Sequence, residues 1–363
     1  MAQQKPVGIG IAGCGNIAGP YGQSILTHPD KLKLVGAYDL DPKRTDEFTG
    51  KFGGRVFRGL DEMLRSPEIE LVVNLTIHTA HYDVTKQALD AGKHVHSEKP
   101  LAGTRQQGAE LVELARRRGV LLGCSPFVIL GEAQQTAWKA IRDGLAGDIL
   151  DVTAYMMHWR IEMWHPNPEP FYSKGVGPML DVGCYPLNVL TSILGPVASV
   201  RGDGGIRIPE RVIASGPKQG ERFRVTAPDH TTGLLRFASG VGGTLTASFV
   251  VGKSNHVGIE FYGTKGTLWL TSPVGFDSAI KWCPIEKRGE WEDLPLLGSP
   301  FRGVEWSRGP LDMAEAIRTG RQPRCTGEQA NHILDVCLSI LEAAESGREV
   351  AVRTRFRTPE PVY

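Results

Sequence analysis

The run V-G-I-G-I-A, Val7 to Ala12, passes without interruption into G-C-G-N-I-A, Gly13 to Ala18. A strand apolar along its whole length belongs in a sheet covered on both faces. The G-x-G-x-x-A spacing then demands a tight turn into a helix. Gly13 permits the turn, Gly15 admits a pyrophosphate against the backbone, and Ala18 lets the helix pack closely on the sheet. The loop residues Gly13, Gly15, Asn16, Ile17 and Ala18 are therefore expected to contact a dinucleotide, with the helix amino end toward its negative charge. Asp39 ends the next apolar run, Leu32 to Tyr38. A carboxylate there accepts hydrogen bonds from both ribose hydroxyls and repels a 2′-phosphate, which favours NAD. Lys43 and Arg44 lie close enough in sequence to keep NADP as the alternative.

The same alternation continues through the first third. Leu71–Ile77, a short run at Val95, and Val120–Cys124 read as further strands, giving five with the first two. His81–Asp90 reads as a helix stopping at Gly92. Thr104 with Gln107 makes a capping box for a helix closed by Gly119 after three arginines. Beyond Ser125-Pro126 the pattern changes. Ala133–Gly144 is one more helix. Strand-like segments then dominate: 151–159, 197–202, 231–237, 243–251, 256–262 and 266–270, many joined by Gly-rich turns as antiparallel strands are. Residues 208–222 read as a polar loop, and helices near 311–319 and 328–346 come last. The expected organisation is α/β: a doubly wound parallel sheet over 1–125, then a second domain over 126–363 for substrate binding and oligomerisation.

Composition excludes several function classes. Of 363 residues 41% are apolar and 22% charged, ordinary for a globular protein. Lys and Arg number 41 against 40 Asp and Glu, a formal net charge of +1, so neither nucleic acid nor an anionic membrane is an expected partner. No apolar run approaches the ~18 residues of a membrane helix. The amino end, M-A-Q-Q-K-P-V, lacks the apolar core of a secretion signal, so export is not expected, and the six cysteines are scattered without a C-x-x-C pair. That usage suits free thiols in a reducing compartment, and no metal site is expected. A cytoplasmic location is the resulting expectation.

Three further stretches carry chemistry. N-L-T-I-H-T-A-H, Asn74 to His81, leaves a strand at the carboxyl edge where doubly wound sheets bind ligands, so Thr76 and His78 are candidate cofactor contacts. For His78 and His81 alike, a helix-start histidine bonded to backbone is an equally good reading. One strand on, H-V-H-S-E-K-P-L-A ends in Glu98-Lys99-Pro100. Lys99 would point into the same crevice, where an ammonium group favours the ionised form of a hydroxyl, and Pro100 would fix the backbone, with a cis bond available. In G-V-G-P-M-L-D-V-G-C-Y-P-L-N, Gly175 to Asn188, one helix over 180–194 would set Asp181, Tyr185 and Asn188 on a single stripe. A capped helix with a half-buried tyrosine is the plainer alternative. Upstream, H-W-R-I-E-M-W-H-P supplies Arg160, Trp164 and His165 as candidate substrate contacts.

Taken together, G-I-A-G-C-G-N-I-A, the block A-L-D-A-G-K-H-V-H-S-E-K-P-L-A at 88–102 and G-V-G-P-M-L-D-V-G-C-Y at 175–185 resemble the glucose–fructose oxidoreductase / inositol dehydrogenase / MocA (Gfo/Idh/MocA) family over nearly the whole chain. The resemblance implies a Rossmann domain followed by an α+β domain with a large open, mostly antiparallel sheet, often an oligomer interface, so a homodimer or homotetramer is expected. It implies hydride transfer between NAD(P) and a sugar, polyol or glycoside hydroxyl. Gly13, Gly15, Ala18 and Asp39 fall on the cofactor positions, Lys99 on the active-site lysine and Asp181 on the active-site aspartate; Glu98 and Lys99 are further candidate cofactor contacts. Many members carry histidine four residues after that aspartate, whereas this chain has Tyr185, as in the glucose–fructose oxidoreductase branch. Tyr185 is thus the expected acid/base, Lys99 its electrostatic partner and a substrate binder, with the reverse division between these two as the alternative, and Asp181 a positioning residue. Two alternatives stay open: an NAD-dependent glycoside hydrolase that oxidises its sugar transiently, and a dinucleotide-binding regulatory protein.

Overall fold

The computed structural model describes residues 5–363. The chain divides into two compact units. One comprises the residues up to Leu130 together with Glu305–Asn331, the other Gly131–Val304 with His332–Tyr363.

In the first unit, β1 (Val7–Ala12), β2 (Leu32–Tyr38), β3 (Arg55–Val56), β4 (Leu71–Asn74), β5 (His94–Ser97) and β6 (Leu122–Cys124) form a six-stranded sheet in the order β3-β2-β1-β4-β5-β6. Every pairing is parallel. The helices between them are α1 (Ala18–Ile25), α2 (Pro42–Phe52), α3 (Leu60–Arg65), α4 (His81–Asp90) and α5 (Arg105–Arg118). This is the doubly wound order in which the first strand lies at the topological switch point. β1 and β4 are wholly buried, as unbroken apolar runs require. The short edge strand β3 went unread in the sequence because two residues carry no periodicity. β4 also stops at Asn74, short of the expected Ile77. The Asn74 Oδ1 accepts from the Thr76 N–H (3.2 Å) and hydroxyl (2.7 Å), turning the chain out of the sheet. Thr104 caps α5 as expected, accepting from the Gln107 N–H at 3.2 Å. The reciprocal bond from Gln107 lands on the Gly103 N–H, and Gly119 (φ +66°) ends the helix.

The second unit begins with α6 (Glu132–Arg142) and is built on a nine-stranded sheet. Its strands are β7 (Ile149–Trp159), β8 (Val197–Gly205), β11 (His230–Phe237), β12 (Gly242–Val251), β13 (Gly258–Gly263), β14 (Gly266–Leu270), β15 (Ile280–Pro284), β16 (Glu292–Leu294) and β17 (Val350–Ala351). They run in the order β16-β15-β14-β13-β7-β12-β11-β8-β17. Only β7 and β12 pair in parallel; the other neighbours are antiparallel. The segment 208–222, expected to be a loop, instead contains β9 (Glu210–Val212), paired with β10 (Arg222–Arg224) in a separate two-stranded hairpin. Gly-for-side-chain economy sets how helix and sheet meet. A Cβ at Gly202 would come within 2.4 Å of the Ile340 carbonyl, and one at Gly233 within 2.8 Å of the Ile340 side chain.

A second correction concerns residues 180–194. They form two helices, α7 (Gly177–Asp181) and α8 (Cys184–Leu194), parted at Val182-Gly183. Pro186 is the cause, since its ring would collide with the carbonyl four residues back, at Val182, in a continuous helix. Two late helices complete the fold: α9 (Arg308–Thr319) and α10 (Gly327–Ser346). Segment 305–331 returns to the first unit and meets β6, where Gly123 bridges Thr326 and the Cys124 N–H donates to the Cys325 carbonyl at 3.2 Å.

Candidate active site

The glycine loop has the shape a dinucleotide requires. Gly13 lies at φ +93°, and a Cβ there would stand 2.7 Å from the backbone of Leu75 and Thr76. At Gly15 nothing lies within 4 Å of such a Cβ, so open space fronts the backbone where a pyrophosphate would approach. α1 starts at Ala18, which is buried against the sheet. Asn16 is exposed and Ile17 half-buried in the turn between. Asp39 is tied to this loop: its Oδ2 accepts the Cys14 N–H at 2.7 Å and its Oδ1 the Asp41 N–H at 2.9 Å. Each carboxylate oxygen keeps a further lone pair for ribose hydroxyls. Burial, followed by the Asp39 charge, pushes the Cys14 thiol up to about 12, so this loop cysteine stays a neutral thiol. The residues present fit NAD.

The carboxyl edge of the same sheet is cross-braced. Asn74 donates to the His81 carbonyl (3.1 Å) and the Thr85 hydroxyl (3.0 Å) while its Oδ1 holds Thr76. His81, buried at the start of α4, spans two backbone carbonyls, Pro100 (2.7 Å) and Thr76 (3.0 Å). Burial holds its pKa below the usual value against those two carbonyls. Of the two readings of this histidine, backbone bonding is what the structure contains. His78 sits half-buried just ahead of it, and Ile77 is exposed.

Glu98 is the anchor of the E-K-P turn. Its Oε1 accepts from the Tyr21 hydroxyl (2.8 Å) and the Ser125 hydroxyl (3.0 Å), and its Oε2 from the Lys99 backbone N–H (3.1 Å). The Glu98 N–H donates to the Asn74 carbonyl at 2.8 Å, locking the turn to the end of β4. Both the Lys99–Pro100 and Ser125–Pro126 peptide bonds are cis. Sequence reasoning passed over Tyr21 and Ser125. Tyr21 lies one helical turn beyond Ala18 on the inner face of α1, a spacing that could have pointed to it. Ser125 carried no local signal.

In the second unit, Asp181 closes α7 and Tyr185 is the second residue of α8, so the i,i+4 relation of one helix does not hold between them. Both are half-buried, and Asn188, three residues on along α8, is fully buried. Gly177 (φ +64°) begins α7 against the Pro228 carbonyl, 2.8 Å from where a Cβ would be. Trp164 is 46% exposed, as a stacking surface must be. Its ring meets His165 edge-on at 5.5 Å, and His165 meets Phe171 at 5.0 Å. The His165 Nδ1 accepts the Asn167 N–H at 3.1 Å, which assigns the proton of the neutral ring to Nε2. Burial lowers the His165 pKa, opposed by the Asp181 charge. Arg160 donates from Nε to the Val250 carbonyl at 3.4 Å.

A parallel sheet in dinucleotide order, a glycine loop at its switch point and a braced lysine at its carboxyl edge define a nicotinamide-dependent oxidoreductase. The family model described as "Oxidoreductase family, NAD-binding Rossmann fold" matches residues 7–125, and that of the "GFO/IDH/MocA C-terminal domain" matches residues 134–269. The chain belongs to the Gfo/Idh/MocA oxidoreductase family and carries its NAD-binding Rossmann domain. It is 25% identical over 304 residues to trans-1,2-dihydrobenzene-1,2-diol dehydrogenase of Bos taurus, covering 83% of each chain. It is 26% identical over 309 residues to 1,5-anhydro-D-fructose reductase of Ensifer adhaerens, covering 83% of this chain and 85% of that one. Its fold matches levoglucosan dehydrogenase in complex with NADH and levoglucosan with a TM-score of 0.82 at 19% identity, over 96% of this chain and 99% of that one.

Proposed function

We propose that this enzyme interconverts a secondary hydroxyl and a ketone on a small polyhydroxylated ring, a sugar, anhydrosugar or cyclic diol, with NAD as redox partner. The observation that carries the reading is the Glu98 anchor. A turn whose backbone is held beside a dinucleotide loop by three hydrogen bonds to one carboxylate supports a lysine placed for reaction at the nicotinamide end over cofactor retention alone. The substrate class draws support from the names of the relatives, whose compounds share a six-membered ring with neighbouring oxygen substituents. NAD, when bound, supplies the electron-pair acceptor for the carbon being oxidised.

The chain's own residues manage the proton. Tyr185 takes it from the hydroxyl, which requires the phenol to be brought from ~10 toward neutrality, about three units or ~4 kcal/mol. The Lys99 ammonium works in that direction and binds the same oxygen; Asp181 orients a neighbouring hydroxyl. His165, a donor at Nε2, and the exposed face of Trp164 hold the ring, with Arg160 and Asn188 supporting the surrounding surface. Asp39 sets the preference for NAD over NADP.

Purified enzyme incubated with NAD and a panel of ring polyols, anhydrosugars, dihydrodiols and glycosides should produce reduced nicotinamide with at least one of them. In Lys99→Ala and Tyr185→Phe, kcat/KM should fall by roughly 10²- to 10⁴-fold, with the NAD dissociation constant unchanged within about twofold. Glycoside cleavage that depends on bound NAD without net reduction would replace this reading with the redox-assisted hydrolase. Unchanged turnover in both variants would remove the pair from the chemistry.

A further inference from the structure

The segment that carries Trp164 and His165 closes on itself through a buried guanidinium. Arg211, in β9, has its side chain 1% exposed. Its Nη1 donates to Glu162 Oε1 at 2.6 Å and to the Phe249 carbonyl at 3.2 Å, and its Nη2 to Asp229 Oδ2 at 2.7 Å. Its guanidinium carbon stands 4.4 Å from the centre of the Tyr172 ring. Tyr172 donates its hydroxyl to the other oxygen of Glu162 at 2.5 Å and accepts the Ile161 N–H at 3.1 Å. Glu162 and Tyr172 are the two ends of the loop 163–171. Both ends therefore meet at one cation, contributed by a hairpin outside the loop.

Asp229 ties the same cation to the approach to β11. It accepts the Arg207 N–H at 2.7 Å and the Ile208 N–H at 3.2 Å. The Tyr172 carbonyl accepts from the N–H groups of Thr226 and Ala227 at 2.9 and 3.0 Å, and the Lys174 N–H donates to the Thr226 hydroxyl at 2.9 Å. Pro228, next to Asp229, is the residue against which Gly177 opens α7. The cluster thus fixes the ring-binding loop and the start of the helix that ends in Asp181 with one set of bonds.

We infer that Arg211 is a positioning residue for substrate recognition, holding loop 163–171 closed through Glu162 and Tyr172 so that Trp164 and His165 present fixed faces. This rests on the proposed reading of Trp164 and His165 as substrate contacts. A device of this kind has a reason to be ionic. Buried ion pairs stabilise a fold no better than apolar packing of the same volume, but their hydrogen bonds have direction, and direction is what a loop of ten residues or so otherwise lacks. Tyr172 stays a neutral donor to Glu162, because burial and the Glu162 bond push its phenol far up.

Arg211→Lys keeps the charge and loses the fork; Tyr172→Phe removes one hydroxyl and leaves the packing, so it stays folded even where the lysine variant does not. Arg201→Lys, at the exposed pair with Glu349, serves as control. Amide hydrogen exchange is read on peptides spanning 161–173 and on β12, with kinetics alongside. Expected in both cluster variants is a rise of at least about tenfold in exchange within 163–171, no change in β12, unchanged NAD affinity, and a KM for the hydroxyl substrate that rises more than kcat falls. Exchange in 163–171 that matches the control, or that rises equally across the second unit, would reduce the cluster to an ordinary structural ion pair. The exchange arm needs no substrate, so a wild-type enzyme that turns over nothing on the panel overturns the oxidoreductase reading and leaves this measurement to decide the clamp.

Discussion

Gly13 and Gly15 stand two residues apart in one loop and answer to different demands. At Gly13 the backbone is left-handed and a side chain would strike Leu75 and Thr76, so Gly13→Ala should lower stability by at least ~1–2 kcal/mol and abolish NAD binding. At Gly15 the space is open, so Gly15→Ala should keep the wild-type melting temperature while weakening NAD by at least about tenfold, because the methyl group enters the pyrophosphate's place. Thermal unfolding without cofactor, set against NAD titration, separates the two. Equal destabilisation by both substitutions would mean that Gly15 serves the fold and not the ligand. These glycines were legible in the sequence because their spacing is itself the chemistry. Arg211 was not. In E-R-V the apolar Val212 is 43% exposed and the arginine is buried, the reverse of what hydropathy assigns to a strand. Only the partners, Glu162 and Asp229, 49 and 18 residues away, reverse it, and no local window contains them.

At the level of elements, the most legible were those whose ends are written in the chain. α4 and β2 have the expected bounds, and α5 stops where Gly119 takes the left-handed conformation. The α7–α8 break was legible too, had the position of Pro186 been weighed against the apolar periodicity that runs across it. The break matters for the site, because it gives Asp181 and Tyr185 separate helical supports. Gly177 is the hinge of the first of these. An alanine there faces φ +64° and the Pro228 carbonyl at 2.8 Å, so Gly177→Ala should displace α7 from its seat and lower kcat/KM by roughly tenfold or more, with NAD binding intact. Steady-state kinetics beside a cofactor titration would check it. Wild-type kcat/KM in a folded Gly177→Ala would show that the placement of α7 does not matter to the reaction.

Over the whole molecule, the parallel pairing of the first sheet follows from the β-α alternation, while the return of residues 305–331 to that unit does not, since it depends on a bridge from Thr326 to Gly123 that no local pattern announces. Each unit also contains a deeply buried histidine kept neutral by its surroundings. Burial lowers His96 in the first unit and His332 in the second to about 4, against the nearby charges of Glu98 and Asp312 for the one and Asp335 for the other. His332 accepts the Val197 N–H at 3.0 Å through Nε2 and bonds the Thr354 hydroxyl through Nδ1, so a proton on Nε2 would break the first bond. The folded pKa lies below the unfolded value of 6.5, so the unfolded chain binds more protons between the two. Stability is therefore fully present above pH 6.5 and falls as the pH drops from 6.5 toward about 4, by up to ~3 kcal/mol for each histidine. Urea unfolding from pH 7.5 to about 4.5 should show this decline, and His332→Gln, whose amide oxygen can still accept from Val197, should flatten the slope by up to about 1.4 kcal/mol per pH unit. A slope identical to wild type would place the acid-sensitive proton elsewhere than on His332.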